Sequence, residues 1–128
     1  MKKHLKIIAI IGLGIASLTT FAMIPNTPSI KTEKYQKEII IEGVGVTKTI
    51  EVTGDETIRI EGTNNKITII GACDLIKIEG VDNVVTVDDV KTIQIEGTGN
   101  KVNYKKSSAA DGKAKTSVAG VNNKIMKI

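Results

Sequence analysis

TIRIEGTNNKITII (residues 57–70), LIKIEGVDNVVTVD (75–88) and TIQIEGTGNKVNYK (92–105) are three copies of one unit. The unit is apolar-x-apolar-Glu-Gly-x-x-Asn-x-apolar-x-apolar. Its glycines, Gly62, Gly80 and Gly97, stand 18 and 17 residues apart. An earlier copy centres on Gly43, with Val46 where the others carry Asn, and a later one, AGVNNKIMKI, centres on Gly120. A fixed period of this length marks a repeat architecture.

Each unit splits again. Apolar pairs begin at Ile50, Ile58, Ile67, Ile76, Val85, Ile93 and Val102, eight or nine residues apart. Each pair is an Ile-x-Ile or Val-x-Val alternation, the period of a half-buried strand. β-Branched residues fill the apolar slots and suit a pleated surface. Strands of about five residues separated by Gly/Asn turns leave no room for helices, so the expected class is all-β.

Two architectures fit: a parallel β-solenoid with about 18 residues and two short strands per rung, or an antiparallel β-sandwich or meander. The likeness lies between residues one full unit apart, which favours the solenoid. Stacking by one unit places Ile60, Ile78 and Ile95 in one column and Ile67, Val85 and Val102 in another. It also aligns Asn65, Asn83, Asn100 and Asn123, whose amides can bond along a ladder. The paired Gly43, Gly62, Gly80, Gly97 and Gly120 supply the positive φ of a tight turn. These nine residues are read as structural repeat positions. Glu61, Glu79 and Glu96 also fall in a column, and stacked like charges count against the solenoid. Neighbouring Arg59, Lys77, Lys66 and Lys101 are placed to soften that repulsion. Lys127 falls in the slot that Ile69 occupies, where a charge discourages a further strand.

The ends of the chain read differently. Lys2, Lys3, His4 and Lys6 precede an uncharged apolar run, Ile7 to Leu18, and then Thr20-Phe21-Ala22. That is the pattern of a secretory signal peptide. The expected domains are therefore a signal peptide (1–22), a flexible linker (23–37) carrying Pro25 and Pro28, and a β-repeat domain (38–128). Cleavage leaves no membrane span and implies export, to the periplasm or beyond. Between Val102 and Thr116 the half-period stretches from nine residues to fourteen, and KKSSAADGKAK reads as a floppy insertion.

Composition narrows function by subtraction. Beyond residue 22 the chain has fifteen basic and fourteen acidic side chains, a net charge of about +1, and the two signs are interleaved. A nucleic-acid partner needs a clustered basic face and is not expected. The only His lies in the leader, so no Ser/His or Cys/His dyad and no His metal site is available. Cys73, the single Cys, reads as a small buried apolar residue. No catalytic, cofactor-binding or metal-binding residue is nominated, and no cofactor is expected.

The repeated I-x-I-E-G-x-x-N-K-I-x-I, behind a signal peptide, resembles small exported bacterial proteins known as domain of unknown function family 3060. The resemblance covers Ile58 to Tyr104 and, in part, the last copy; Val46 departs from it. It implies export and repeats, and it brings no activity, cofactor or catalytic residue. The expected function is a non-catalytic exported structural or interaction module, not an enzyme, whose partner is an unknown protein or envelope component. The alternative is a calcium-stabilised β-roll, for which Glu79, Asp82, Asp88 and Asp89 are the densest acidic group, although Gly-Gly-x-Gly-x-Asp is absent. A polysaccharide-binding or polysaccharide-acting protein is a weaker fit, because Tyr35 and Tyr104 are the only aromatics after the leader. Thr68 and Thr86 align, but Asn103 and Met126 break the threonine row that ice binding needs.

Overall fold

The computed structural model describes residues 36–128. The expected leader and all of the expected linker except Gln36 and Lys37 lie outside the described residues. Among the described residues every regular element is a strand: β1 (Glu38–Val44), β2 (Thr47–Thr53), β3 (Thr57–Thr63), β4 (Lys66–Val81), β5 (Val84–Thr98), β6 (Lys101–Lys106), β7 (Lys115–Val121) and β8 (Lys124–Lys127). Among the described residues no helix is long and apolar enough to cross a membrane.

All seven strand pairings are parallel. One stack runs β1, β3, the second half of β4, the second half of β5, then β7. The other runs β2, the first half of β4, the first half of β5, β6, then β8. The register Glu38↔Thr57↔Leu75↔Thr92↔Lys115 advances by 19, 18, 17 and 23 residues. This is a β-solenoid, and the antiparallel alternative is excluded. Ile60 pairs with Ile78 and Ile78 with Ile95, as one-unit stacking requires. A meander would have paired the Ile58 strand with the Ile67 strand across the turn.

One expectation changes. The interior rungs are not two short strands each. β4 and β5 run through the second corner as single bent strands of 16 and 15 residues. The bend in β4 is marked by a register shift between Ile69 and Ala72. Gly71, at φ 99°, makes it possible: a Cβ there would lie 2.3 Å from the Val52 carbonyl oxygen. IGACDL holds no proline and no turn pair, so nothing forces the ladder to open.

The inward columns form the core. Ile41, Ile60, Ile78 and Ile95 are buried in one, Ile58, Ile76 and Ile93 in its neighbour. On the other stack Ile67, Val85 and Val102 lie beside Ile69, Val87 and Tyr104. Each fully buried Ile or Val stabilises by roughly 1.5–3 kcal/mol against exposure. Cys73 pairs with Val90 and is buried with it, as its apolar reading anticipated. At the last rung Lys127 pairs with Tyr104 and extends the Ile69 column, as expected. Lys48 does the same at the first rung, beneath Ile67. Both lysines are exposed.

The insertion, expected to be floppy, makes specific contacts. The Ser108 N–H donates to Asp89 Oδ1 at 2.7 Å and the Ser108 hydroxyl donates to Asp89 Oδ2. Gly112 N–H donates to the Ala109 carbonyl, and Lys127 Nζ donates to that of Gly112. A buried carboxylate therefore anchors its start, and a local turn closes it. The last linker residues are also held: the Lys37 carbonyl accepts from Thr57 N–H, and Gln36 Nε2 donates to Asp74.

Candidate functional site

The nine repeat residues come together at one corner, where the two stacks meet. Each Asn there reaches back one rung. Asn83 Oδ1 accepts from Asn65 N–H at 3.0 Å, and its Nδ2 donates to the Gly62 carbonyl at 3.0 Å. Asn100 repeats this with Asn83 N–H and the Gly80 carbonyl, and Asn123 with Asn100 N–H and the Gly97 carbonyl. The amides also bond to one another, Asn83 to Asn100 and Asn100 to Asn123. Asn65, Asn83 and Asn100 are buried, so their ladder bonds take the place of bonds to water.

The direction of the ladder explains Val46. Asn65 Oδ1 accepts from Val46 N–H at 2.8 Å, and Asn65 Nδ2 donates to the Gly43 carbonyl. The first described rung thus receives its bonds from the second. Among the described residues it has no rung behind it to serve, so Val46 can replace Asn without an unmet donor.

Glycine is required in this corner for space. A Cβ on Gly62, Gly80 or Gly97 would come within 1.9 Å of the preceding glycine's carbonyl oxygen. The residue before each ladder position carries a second constraint that sequence reading missed. Asn64, Asp82 and Asn122 have φ between 53° and 58°, and Gly45 and Gly99 have φ of 68° and 70°. Only Gly, Asn and Asp occur there, the types that tolerate left-handed backbone. That restricted alphabet was the available signal.

The outward glutamate column is real, since Glu42, Glu61, Glu79 and Glu96 are in register. Arg59 relieves it by bridging two rungs, with Nε 2.5 Å from Glu61 and its guanidinium 3.3 Å from Glu79. Lys77 also pairs with Glu79. These two cations, Lys77 first, hold the Glu79 carboxyl below its usual range. Among the described residues Lys66 and Lys101 have no such partner.

The second corner holds three carboxylates, of which sequence reading singled out Asp88 and Asp89, as calcium candidates, but not Glu56. Glu56 is buried and accepts from the N–H groups of Thr53, Gly54 and Asp55 and from the Thr53 hydroxyl. The Thr53 hydroxyl, then the Gly54 amide, lower its pKa to about 2. Asp88 accepts from Gly71 N–H and pairs with Lys105 at 2.7 Å, which lowers its pKa as well. Asp89 is buried against Ser108, with Lys106 3.7 Å away. A shallow cavity of about 440 Å³ is lined by Gly71, Ala72, Asp88, Asp89, Lys105 and Lys106. Its charges already satisfy one another.

Burial, helped by the charges of Asp89, Glu56 and Asp74, pushes the Cys73 thiol up to about 12. It is protonated at neutral pH and poorly nucleophilic. The four acids nominated for calcium are dispersed. Glu79 is held by Arg59 and Lys77, Asp82 sits on the turn, and Asp88 and Asp89 serve the second corner. Among the described residues no three His, Cys, Asp or Glu side chains cluster to hold a metal ion. The threonine row gains Thr49 beneath Thr68 and Thr86, then ends at Asn103 and Met126.

Comparison with known proteins adds one result. No curated protein and no solved structure matches the chain. Residues 60–113, from the inward Ile60 of β3 into the insertion, match the family described as Protein of unknown function (DUF3060), and this match supports membership of the chain in that domain-of-unknown-function family.

Proposed function

We propose that the chain is a non-catalytic, exported structural or interaction module that presents its flat outward faces to a protein or envelope partner. The observation that supports this most directly is the commitment of the polar groups. The ladder amides bond to the backbone of neighbouring rungs, Glu56 and Asp89 bind backbone amides, and the Cys73 thiol is buried. What faces outward is a set of regular rows one strand apart, such as Thr49, Thr68 and Thr86, and the Glu column with its cations. Rows at fixed spacing suit recognition of a repeating or extended partner. Export is read from residues 1–22.

The test is a pull-down from the envelope fraction with the intact mature chain, beside a Cys73→Ala variant of unchanged melting temperature. The expected result is a defined partner held equally by both. Chemical conversion of an envelope component that disappears in Cys73→Ala would overturn the non-catalytic reading.

A further inference from the structure

Charge is segregated along this solenoid. Residues 36–100 carry six basic and twelve acidic side chains, whereas residues 101–128 carry seven lysines and a single acid, Asp111. Three of those lysines are engaged: Lys105 and Lys106 lie against Asp88 and Asp89, and Lys127 donates to a backbone carbonyl. Lys101 and Lys124 differ. The register pairs them directly, one rung apart, at a strand spacing of about 4.8 Å. No carboxylate among the described residues forms an ion pair with either. Asp82, at the turn one rung back, lies against Gly99, where a Cβ would come within 2.1 Å of its Oδ1.

Like charges directly opposite in a sheet destabilise it. The glutamate column shows how this fold relieves such a stack, with Arg59 and Lys77 set between the acids. The lysine pair has no counterpart to Arg59: two residues along the same strands stand Asn103 and Met126, which carry no charge. Lys101 and Lys124 also line a cavity of about 410 Å³, together with Gly99, Asn100, Asn122 and Asn123. The amide groups of Asn100 and Asn123 are occupied by the ladder. The cavity is therefore lined by two lysines beside the residues of two successive turns.

We propose that this cavity is an anion site and that its ligand is a phosphate group, free or carried on a polymer. A phosphate dianion neutralises both amines at once, whereas a carboxylate neutralises one, and lysine binds phosphate as a point charge. The site deepens the interaction-module reading by giving one surface a ligand class, and rests on it only for the partner being macromolecular.

Calorimetric titration of the mature chain, in a low-salt buffer free of phosphate, tests this with two probes: inorganic phosphate and linear polyphosphate. Saturable binding is expected. It weakens about tenfold or more in Lys101→Gln/Lys124→Gln, which loses two charge-assisted contacts. It is unchanged in Lys113→Gln/Lys115→Gln. Tighter binding of polyphosphate per phosphate group assigns the ligand to a polymer, and equal binding assigns it to the free anion; either upholds the site. Melting is the second readout. Without phosphate, Lys124→Gln melts above the parent chain, and phosphate removes the difference. Equal loss in both double variants, no binding of either probe, or a lower melting point for Lys124→Gln without phosphate overturns the proposal. Phosphate binding alongside a failed envelope pull-down would sink the interaction reading and leave the site standing.

Discussion

Replacing Asn83 by Leu tests the ladder at its centre. The side chain is fully buried and makes three hydrogen bonds: it accepts from Asn65 N–H and donates to the Gly62 carbonyl and to Asn100 Oδ1. Leu makes none of them. Asn100 Oδ1 keeps the Asn83 N–H as a partner, so that group remains satisfied. Asn65 N–H and the Gly62 carbonyl lose their ladder partner in a corner closed to water. Each buried group left unmet costs about 1–3 kcal/mol, so a loss of about 3–5 kcal/mol is expected. Asn64→Leu is the control. Asn64 is exposed, and its substitution forces Leu to φ 56°, at a cost of about 1–2 kcal/mol. Urea unfolding followed by far-UV circular dichroism separates the two. With a slope of roughly 2 kcal/mol per molar urea, the Asn83 variant should lose about 2 M in midpoint and the Asn64 variant about 0.5–1 M. Equal midpoints, or an Asn64 variant that unfolds first, would show that the amide column contributes no more than an ordinary turn.

Two further outcomes follow from the corners. Gly80→Ala places a Cβ 1.9 Å from the Gly62 carbonyl oxygen and should lower the melting temperature far more than Gly112→Ala, where no atom lies within 4 Å; similar melting of the two would contradict the close approach. Glu56 has a folded pKa near 2 against an ordinary 4.5, so its contribution is fully present above about pH 4.5 and is lost as pH falls towards 2. Urea midpoints measured from pH 5 to pH 2 should therefore fall more steeply for the parent chain than for Glu56→Gln, and parallel profiles would refute the assignment.

The ladder was legible because its parts repeat at fixed spacing. Ile60, Ile78 and Ile95 could be placed in one column by subtraction alone, and so could the four asparagines. The second corner was not legible, because its partners do not repeat. Glu56 bonds to its own turn, Asp88 reaches back to Gly71, and Asp89 reaches forward to Ser108. No two rungs share that chemistry, so comparing copies reveals nothing of it. Continuous strands hid in the same way: the bend in β4 rests on one glycine, which the sequence offers without marking the residues either side as strand. The glutamate column misled for a related reason. Its alignment was visible, but Arg59 acts across rungs, and a bridge to Glu79 twenty residues away depends on side-chain reach that spacing does not encode.

The same ladder gives the solenoid a direction. Every ladder amide acts on the rung before it, so a rung can lack its own Asn and still be closed, but a buried rung cannot lack the Asn of the rung that follows. Val46 illustrates the first case, held by Asn65. The second case would leave a buried backbone N–H and a glycine carbonyl unmet. Substitutions at the Asn slot therefore damage the preceding turn more than their own. Asn65→Leu should loosen the Gly43–Val46 turn at the exposed first rung, where fewer neighbours share the strain, whereas Asn83→Leu opens the middle of the stack. The position of an Asn along the axis, and not its own burial alone, sets how much of the fold depends on it.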